Sequence, residues 1–502
     1  MKKQTMSLAV ASALLVGGTA AFGEMHINGQ GTGEALVYPF YSAANGNDTY
    51  IHIVNTSSLT KAVKIRFVDA LNSQEVLDFN LYLSPEDVWA GAITSNPNTG
   101  ATGAAIVTVD NSCTVPALGT SGGANVGQFA GTTETVDGKI RRMQPFVPFA
   151  FAPTDTNRTP ARTLQGYVEV IEMGQLNPLV GLGAAAVHGA NGVPANCGAL
   201  RAAWNRANPT GVWEGPEGTG FELLPWQGGG LYGFGVVINV NEGTASGYDA
   251  VAVDDYAPPG IIAGELHFRP GSERPDFSNA SPAITVFNGA DATDYVFNNG
   301  QDAFSALFMT TSVQNDYVVE ESINALTDWV VTMPTKKFYV QGSPADAPFS
   351  SAWNGTTACE PVAISQWDRE EAVTTPSPEG PDFSPQPEVP DSPDLVICSE
   401  VSVISFGEES ALNANADIRY GFDPGYEAGW ALLDLSGADL NGDDLDTRRV
   451  LTAEDGSTFS GLPVTGFAVF TYQNNTLEGG SVLSNYAAES AHKVTSTIVS
   501  AD

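Results

Sequence analysis

The chain has 502 residues, with 57 Asp and Glu against 21 Lys and Arg and a formal net charge of −36 at pH 7. So acidic a surface repels phosphate backbones and anionic headgroups, which excludes nucleic acid and acidic membranes as partners and favours cations, divalent ones above all. The length accommodates two or three domains with real cores, and 53 Gly and 31 Pro beside only 16% charged residues fit a turn-rich β protein rather than a helical one.

Residues 1–23 read as a secretory signal peptide. Lys2 and Lys3 form a basic start, residues 8–16 (LAVASALLV) an apolar run, and Ala21-Phe22-Gly23 a small-residue cleavage site before Glu24. The run falls far short of the ~20 apolar residues that span a bilayer, and residues 181–187 (GLGAAAV), the nearest later stretch, are short and small-residued. The expected product is exported, with no transmembrane segment in the mature chain.

From Glu24 onward, period-two alternation predicts strands with one wet and one buried face. Ile51 and Ile53 alternate with Tyr50 and His52. Val63, Ile65 and Phe67 alternate with Lys64 and Arg66, and Leu77, Phe79, Leu81 and Leu83 with Asp78, Asn80 and Tyr82; residues 105–109 (AIVTV) add another strand. The gaps are too short for the helical crossovers of a parallel sheet. The reading is mainly β, with an Ig-like β-sandwich module over 24–112.

Residues 113–235 read as a loop-rich insertion. It opens on a Gly-rich loop and continues with strands at 166–173 and 231–240 and short helices at 180–188 and 197–204. Residues 236–502 read as a C-terminal β-rich domain with strands at 329–333, 338–340, 401–403, 431–435 and 467–472. A Pro-rich acidic loop over 374–394 interrupts it and cannot hold a sheet.

Four cysteines in an exported chain imply two disulfides, for which three pairings exist. Sequence neighbours are favoured, Cys113 with Cys197 and Cys359 with Cys398. Closing a loop of about 40 residues contributes roughly 4 kcal/mol on the chain-entropy account. No C-x-x-C spacing points to zinc or redox chemistry.

Several segments, among them AVKIRFVDALNSQEVLDFNLYLSPEDVWAG, GYVEVIEMG, TDWVVTMPTKKFYV and GLPVTGFAVF, resemble a group of exported, functionally uncharacterised cell-surface proteins of Gram-negative bacteria. The resemblance implies a location outside the cell or on its outer surface and one integrated β architecture. It implies no catalytic residue.

Candidate chemistry is sparse. Asp439, Asn441 and Asp443 stand at positions 1, 3 and 5 of an EF-type calcium loop, but Asp444 replaces its Gly and Val450 its Glu. They remain a candidate Ca²⁺ site, with an Asx-rich turn as the plain alternative. Ser121 lies in a G-x-S-x-G match without the flanking strand and helix of a nucleophile elbow. His26, His52, His188, His267 and His492 form no ligand motif. Trp204, Trp213 and Trp226 offer either an aromatic platform or a small satellite core. Residues 462–466 (LPVTG) match a cell-wall sorting signal but lack the apolar helix and basic tail it needs, so they read as a turn into a strand. The expected function is a secreted or cell-surface structural or adhesive protein of the coat or matrix type, leaning non-catalytic, with self-association or a cell-surface glycan as partner. The alternative is a secreted carbohydrate-binding or carbohydrate-active protein.

Overall fold

The computed structural model describes residues 24–96, 103–120, 129–205, 211–369, 373–374, 395–407, 409–415, 418–420, 426–437, 449–477 and 482–501. The signal segment, Ser121, most of the Pro-rich loop and the candidate calcium residues lie outside them.

Alternating residues in the first half build fourteen strands: β1 (His26–Ile27), β2 (Ala35–Ser42), β3 (Asn47–Asn55), β4 (Thr60–Asp69), β5 (Glu75–Leu83), β6 (Val88–Ser95), β7 (Ala104–Thr108), β8 (Cys113–Val115), β9 (Thr132–Val136), β10 (Lys139–Pro145), β11 (Gln165–Leu176), β12 (Leu231–Asn239), β13 (Thr244–Asp249) and β14 (Val251–Asp254). They form two seven-stranded sheets, in the orders β1-β14-β2-β11-β4-β5-β8 and β13-β12-β3-β6-β7-β10-β9. β2 of the first sheet faces β3, β6 and β12 of the second. Side chains from both inner faces, among them Ile51, Ile53, Ile65, Phe67 and Trp89, fill the space between them.

The second half repeats this plan. Glu360–Asp368, Ala428–Asp434 and Ser312–Val318 lie at the centre of one sheet, and Val401–Phe406, Ala325–Thr332 and Thr465–Leu477 at the centre of another. The fold is therefore mainly β and sandwich-like, with four short α-helices among the described residues: α1 (Gly181–Ala186), α2 (Cys197–Ala203), α3 (Gly300–Ala306) and α4 (Lys337–Val340).

Three expectations need correction. The first sandwich does not end at residue 112. β11 lies between β2 and β4 in the first sheet, and β12 and β13 complete the second, so the insertion expected over 113–235 supplies strands to both. A single apolar core runs on from Met25 to Val469 through both halves. Tyr248 stacks on Phe467 with centroids 4.7 Å apart, and the Thr332 hydroxyl donates to the Pro39 carbonyl at 2.6 Å.

Residues 338–340 are one helical turn, not a strand. Three consecutive large apolar residues carry no period, and Pro334 has already closed the preceding strand.

The third correction concerns β4, which has no wet face: all ten of its residues are buried. Its charged side is covered by residues 256–282 and by α4. Lys64 donates to Asp78 at 2.6 Å and to the carbonyls of Arg269 and Ser272. Arg66 binds Glu75 at 3.0 Å and also Glu169, which Lys337 approaches to 3.4 Å. On the opposite face of the strand Lys61 pairs with Glu172 at 2.7 Å, with both side chains at 0–1% exposure. Charges enclosed in this way are tolerated because each meets its counter-charge in hydrogen-bonding geometry.

The LPVTG residues are likewise inside. Leu462–Pro463 pair with Met309–Thr310, and Thr465 opens the long strand to Leu477. A Cβ at Gly466 (φ +152°) would sit 1.9 Å from the Val330 carbonyl oxygen, so only glycine fits there.

Replacing Arg66 by Met should cost roughly 3 kcal/mol or more in urea unfolding, because the buried Glu169 and Glu75 then lose their closest cation. Adding Glu169→Leu should recover part of that loss, whereas additive losses would show that the pair is not coupled.

Candidate functional site

The first sheet ends at β8, where Cys113 lies opposite Tyr82 of β5. Cys113 is bonded to Cys197, the first residue of α2, and Cys359 to Cys398. Asn196 caps α2 by accepting the Ala199 amide at 3.2 Å. The first disulfide thus pins a short helix against a sheet edge, and clefts open around that junction.

One, of about 680 Å³, lies between Val115–Ala117, Arg201, Trp204 and Arg269. A cleft of about 390 Å³ adjoins it through Trp204, Glu214 and Arg269. On the other side Arg201 and Ala117 lead into a cavity of about 200 Å³ that also holds Arg142. Beyond Asp110 and Asn111 lies a fourth cleft, of about 550 Å³, lined by Ser84, Asp87 and His188. Neighbouring clefts share walls, so this flank of the first sandwich is one continuous furrowed surface. Among the described residues no group of three or more His, Cys, Asp and Glu is arranged to hold a metal ion.

Two of the three sequence-selected tryptophans lie under this surface as core. Trp204 and Trp213 are 7% and 2% exposed and pack with Tyr82 and His267. Their polar atoms form a closed relay. The Trp204 indole donates to the Tyr82 hydroxyl at 2.8 Å, which lies 3.1 Å from His267 Nε2, while His267 Nδ1 lies 2.8 Å from the Thr219 carbonyl. A carbonyl only accepts, so Nδ1 carries the proton and Nε2 accepts from the tyrosine. Burial then pushes the His267 pKa down to about 4. Every atom of this relay is satisfied within the protein, which makes it a packing unit and not a proton-transfer site.

Trp226 stands apart. Its indole donates to Glu34 Oε1 at 3.0 Å, and Glu34 Oε2 accepts the Ala257 amide at 2.9 Å. Burial, and next the charge of Glu172, push the Glu34 pKa up to about 8.

His188 meets a serine and an aspartate that sequence reading had not joined to it. Its Nδ1 lies 2.9 Å from Ser84 Oγ and 3.4 Å from Asp87 Oδ2. A hydrolytic triad needs the serine on one ring nitrogen and the carboxylate on the other. Both partners here address the same nitrogen, so the arrangement anchors the His188 loop to the β5–β6 turn and does not activate Ser84. The only sequence hint was Asp87 three residues after Ser84, whose amide its carboxylate accepts at 3.0 Å.

The other histidines are dispersed. His26 contacts the Glu24 carbonyl, His52 stacks on Phe234, and His492 is buried against the Val330 carbonyl with its pKa lowered to about 4 by that burial.

Comparison with protein-family models, with curated proteins and with solved structures finds no match. The site is thus read from its own geometry.

Glu34 keeps its proton in the folded chain where the unfolded chain has lost it, so the stability it confers is full below about pH 4.5 and is lost as pH rises through about 8. Urea unfolding should show a decline of roughly 2–3 kcal/mol between pH 6 and 8.5, flattened in Glu34→Gln. His267 and His492 act in the opposite sense, and their contribution is lost as pH falls from about 6.5 towards 4. Replacing Cys113 and Cys197 together by serine should cost about 4 kcal/mol, since the bond spans 84 residues. An unchanged unfolding midpoint would mean that α2 is held by packing alone.

Proposed function

We propose that the protein is an exported, non-catalytic structural or adhesive component of a Gram-negative cell surface that assembles by adding strand edges between copies. The observation that carries this reading is the outer edge of β9. The β9–β10 ribbon projects from the end of the second sheet, with residues 132–136 and 139–141 exposed throughout. Asp137-Gly138, both at positive φ, form the two-residue turn that joins Val136 to Lys139. Val136 and Lys139 are then a hydrogen-bonded pair, and alternation directs the amide and carbonyl of Thr135 outward. Among the described residues, Gly119 covers the start of the strand, where its carbonyl accepts the Thr133 hydroxyl at 3.0 Å. A twisted, exposed edge of this kind is a template for another strand.

A complementary edge lies at the other end of the sandwich. Asp291–Val296 is the outer strand of a hairpin whose inner strand, Ala283–Asn288, joins Met25 beside β1. The ribbon carries Lys139, with Arg141 paired to Glu134, and the opposing edge carries Asp291 and Asp294. β2 faces β12 and β3 while β5 meets Trp89 of β6 and the residue Val147 just after β10, so the β1 end of the first sheet lies towards the β13 end of the second, away from β9. Joining unlike edges at opposite ends propagates instead of closing, as a coat or matrix requires. Divalent cations, with Asp439, Asn441 and Asp443 as candidate ligands, would bridge neighbouring acidic surfaces.

Light scattering of the exported form, beginning at Glu24, tests this. The expected result is large assemblies that shrink on adding chelator, at high salt and in Thr135→Pro, which removes an outward amide while sparing the hairpin's own bonds. A monomer under all conditions, or assemblies indifferent to Thr135→Pro, would overturn strand-edge assembly.

A further inference from the structure

We propose that the cleft between Arg201 and Arg269 binds a carboxylate-bearing saccharide. The argument begins with how this chain uses its cations. It has 57 carboxylates and 21 Lys and Arg, so a counter-charge is available to almost any cation that needs one. Arg66, Arg162 and Arg449 are buried against Glu or Asp, and the exposed Arg141 and Arg369 pair with Glu134 and Glu320. Arg201 and Arg269 are exposed, line the same cleft of about 680 Å³, and make no guanidinium hydrogen bond or ion pair among the described residues. Arg142 faces the adjoining cavity that Arg201 also lines, held by the Asp110 carbonyl at 2.8 Å.

The backbone that carries these cations is fixed by the fold. Arg201 stands in the last turn of α2, which the Cys113–Cys197 bond ties to β8. Arg269 lies on a segment whose carbonyl accepts Lys64 from inside the sheet at 3.2 Å. A guanidinium presents a planar fork that matches a carboxylate with two parallel hydrogen bonds, so two forks on one cleft select a planar anion over a neutral ligand.

The remaining wall selects the rest of the ligand. Pro116, Pro270 and the visible edge of Trp204 are apolar surfaces suited to the C–H face of a sugar ring, and the Thr120 hydroxyl is at hand for a ring hydroxyl. A uronic-acid saccharide offers both such a ring face and a planar carboxylate, whereas an acidic peptide side chain offers the carboxylate alone. The volume lies within the range of small-ligand sites, large enough for a short oligosaccharide. The cleft is separate from the β9 edge, so this inference stands or falls independently of strand-edge assembly.

Titration calorimetry with trigalacturonate, its methyl ester and triglutamate decides the matter. Saturable binding of the free acid is expected, with loss on esterification. Arg201→Gln and Arg269→Gln should each weaken it about tenfold or more, since each removes a charge-assisted pair, while Arg274→Gln should leave it unchanged. All three side chains are exposed, and matched unfolding midpoints will confirm that the variants fold. No binding of the free acid, or binding indifferent to both cleft substitutions, would overturn the site. Equal binding of triglutamate would overturn the saccharide assignment.

Discussion

The enclosure of charge along β4 is the constraint on which the rest of the architecture depends. A strand that carries Lys64 and Arg66 on one face would ordinarily leave that face to water. Here that face is covered, and covering it is affordable only because acids arrive from both flanking strands, Glu75 and Asp78 from β5 and Glu169 from β11, while Lys61 on the opposite face meets Glu172 of β11. Removing three cations from water costs several kcal/mol each unless each is paired on arrival. β11 must therefore insert next to β4 before the cover can close, and this explains why a strand more than a hundred residues away is its neighbour. The covering segments then bring their own conditions, since Lys337 completes Glu169 and the loop around Arg269 completes Lys64. The ion pairs thus link β4, β11, residues 256–282 and α4 into one unit.

This arrangement also explains why the two halves share a core. α4 belongs to the second half of the chain but completes a cluster in the first. The amides of Glu400 and Val401 both donate to the Ala70 carbonyl, just after β4 ends. Tyr248 and Phe467 add an apolar seam between the sandwiches. Separating the halves would expose that seam and strand the charges, which makes independent folding of residues 24–112 physically implausible.

Much of this was legible in the alternation of residues. Strands at 50–53, 63–67, 77–83, 105–109, 166–173 and 231–240 all lie where period two places them, and the short helices near 181–186 and 197–203 follow their small-residue runs. What alternation cannot show is whether a polar face meets water or another layer. Lys64 and Arg66 read the same in both cases, because pairing with Asp78 and Glu75 depends on register and covering and not on local pattern. Sequence order misled in the same way for β11 to β14: a Gly-rich loop looks like a boundary, yet the chain returns to the sheet it left. The cleft residues were the least legible. Arg201, Arg269 and Trp204 become neighbours only through the Cys113–Cys197 junction, and Ser84, Asp87 and His188 only through the loop that follows α1. Single arginines and histidines carry no periodic signal.

The distribution of charge then gives the surface its character. Folding consumes many of the few cations internally, so what remains outside is more acidic than composition alone suggests. Against that background the exposed basic positions stand out: the β10 ribbon with Lys139 and Arg141, and the cleft with Arg201 and Arg269. Long-range repulsion disfavours any diffuse association with anions, and screening limits each cation to its own vicinity, within about 8–10 Å at physiological salt. Attraction of an anionic group therefore needs guanidinium groups at short range. A strongly acidic protein with a few fixed basic points is selective by default, because most encounters are repelled before contact and those that persist must use the points provided.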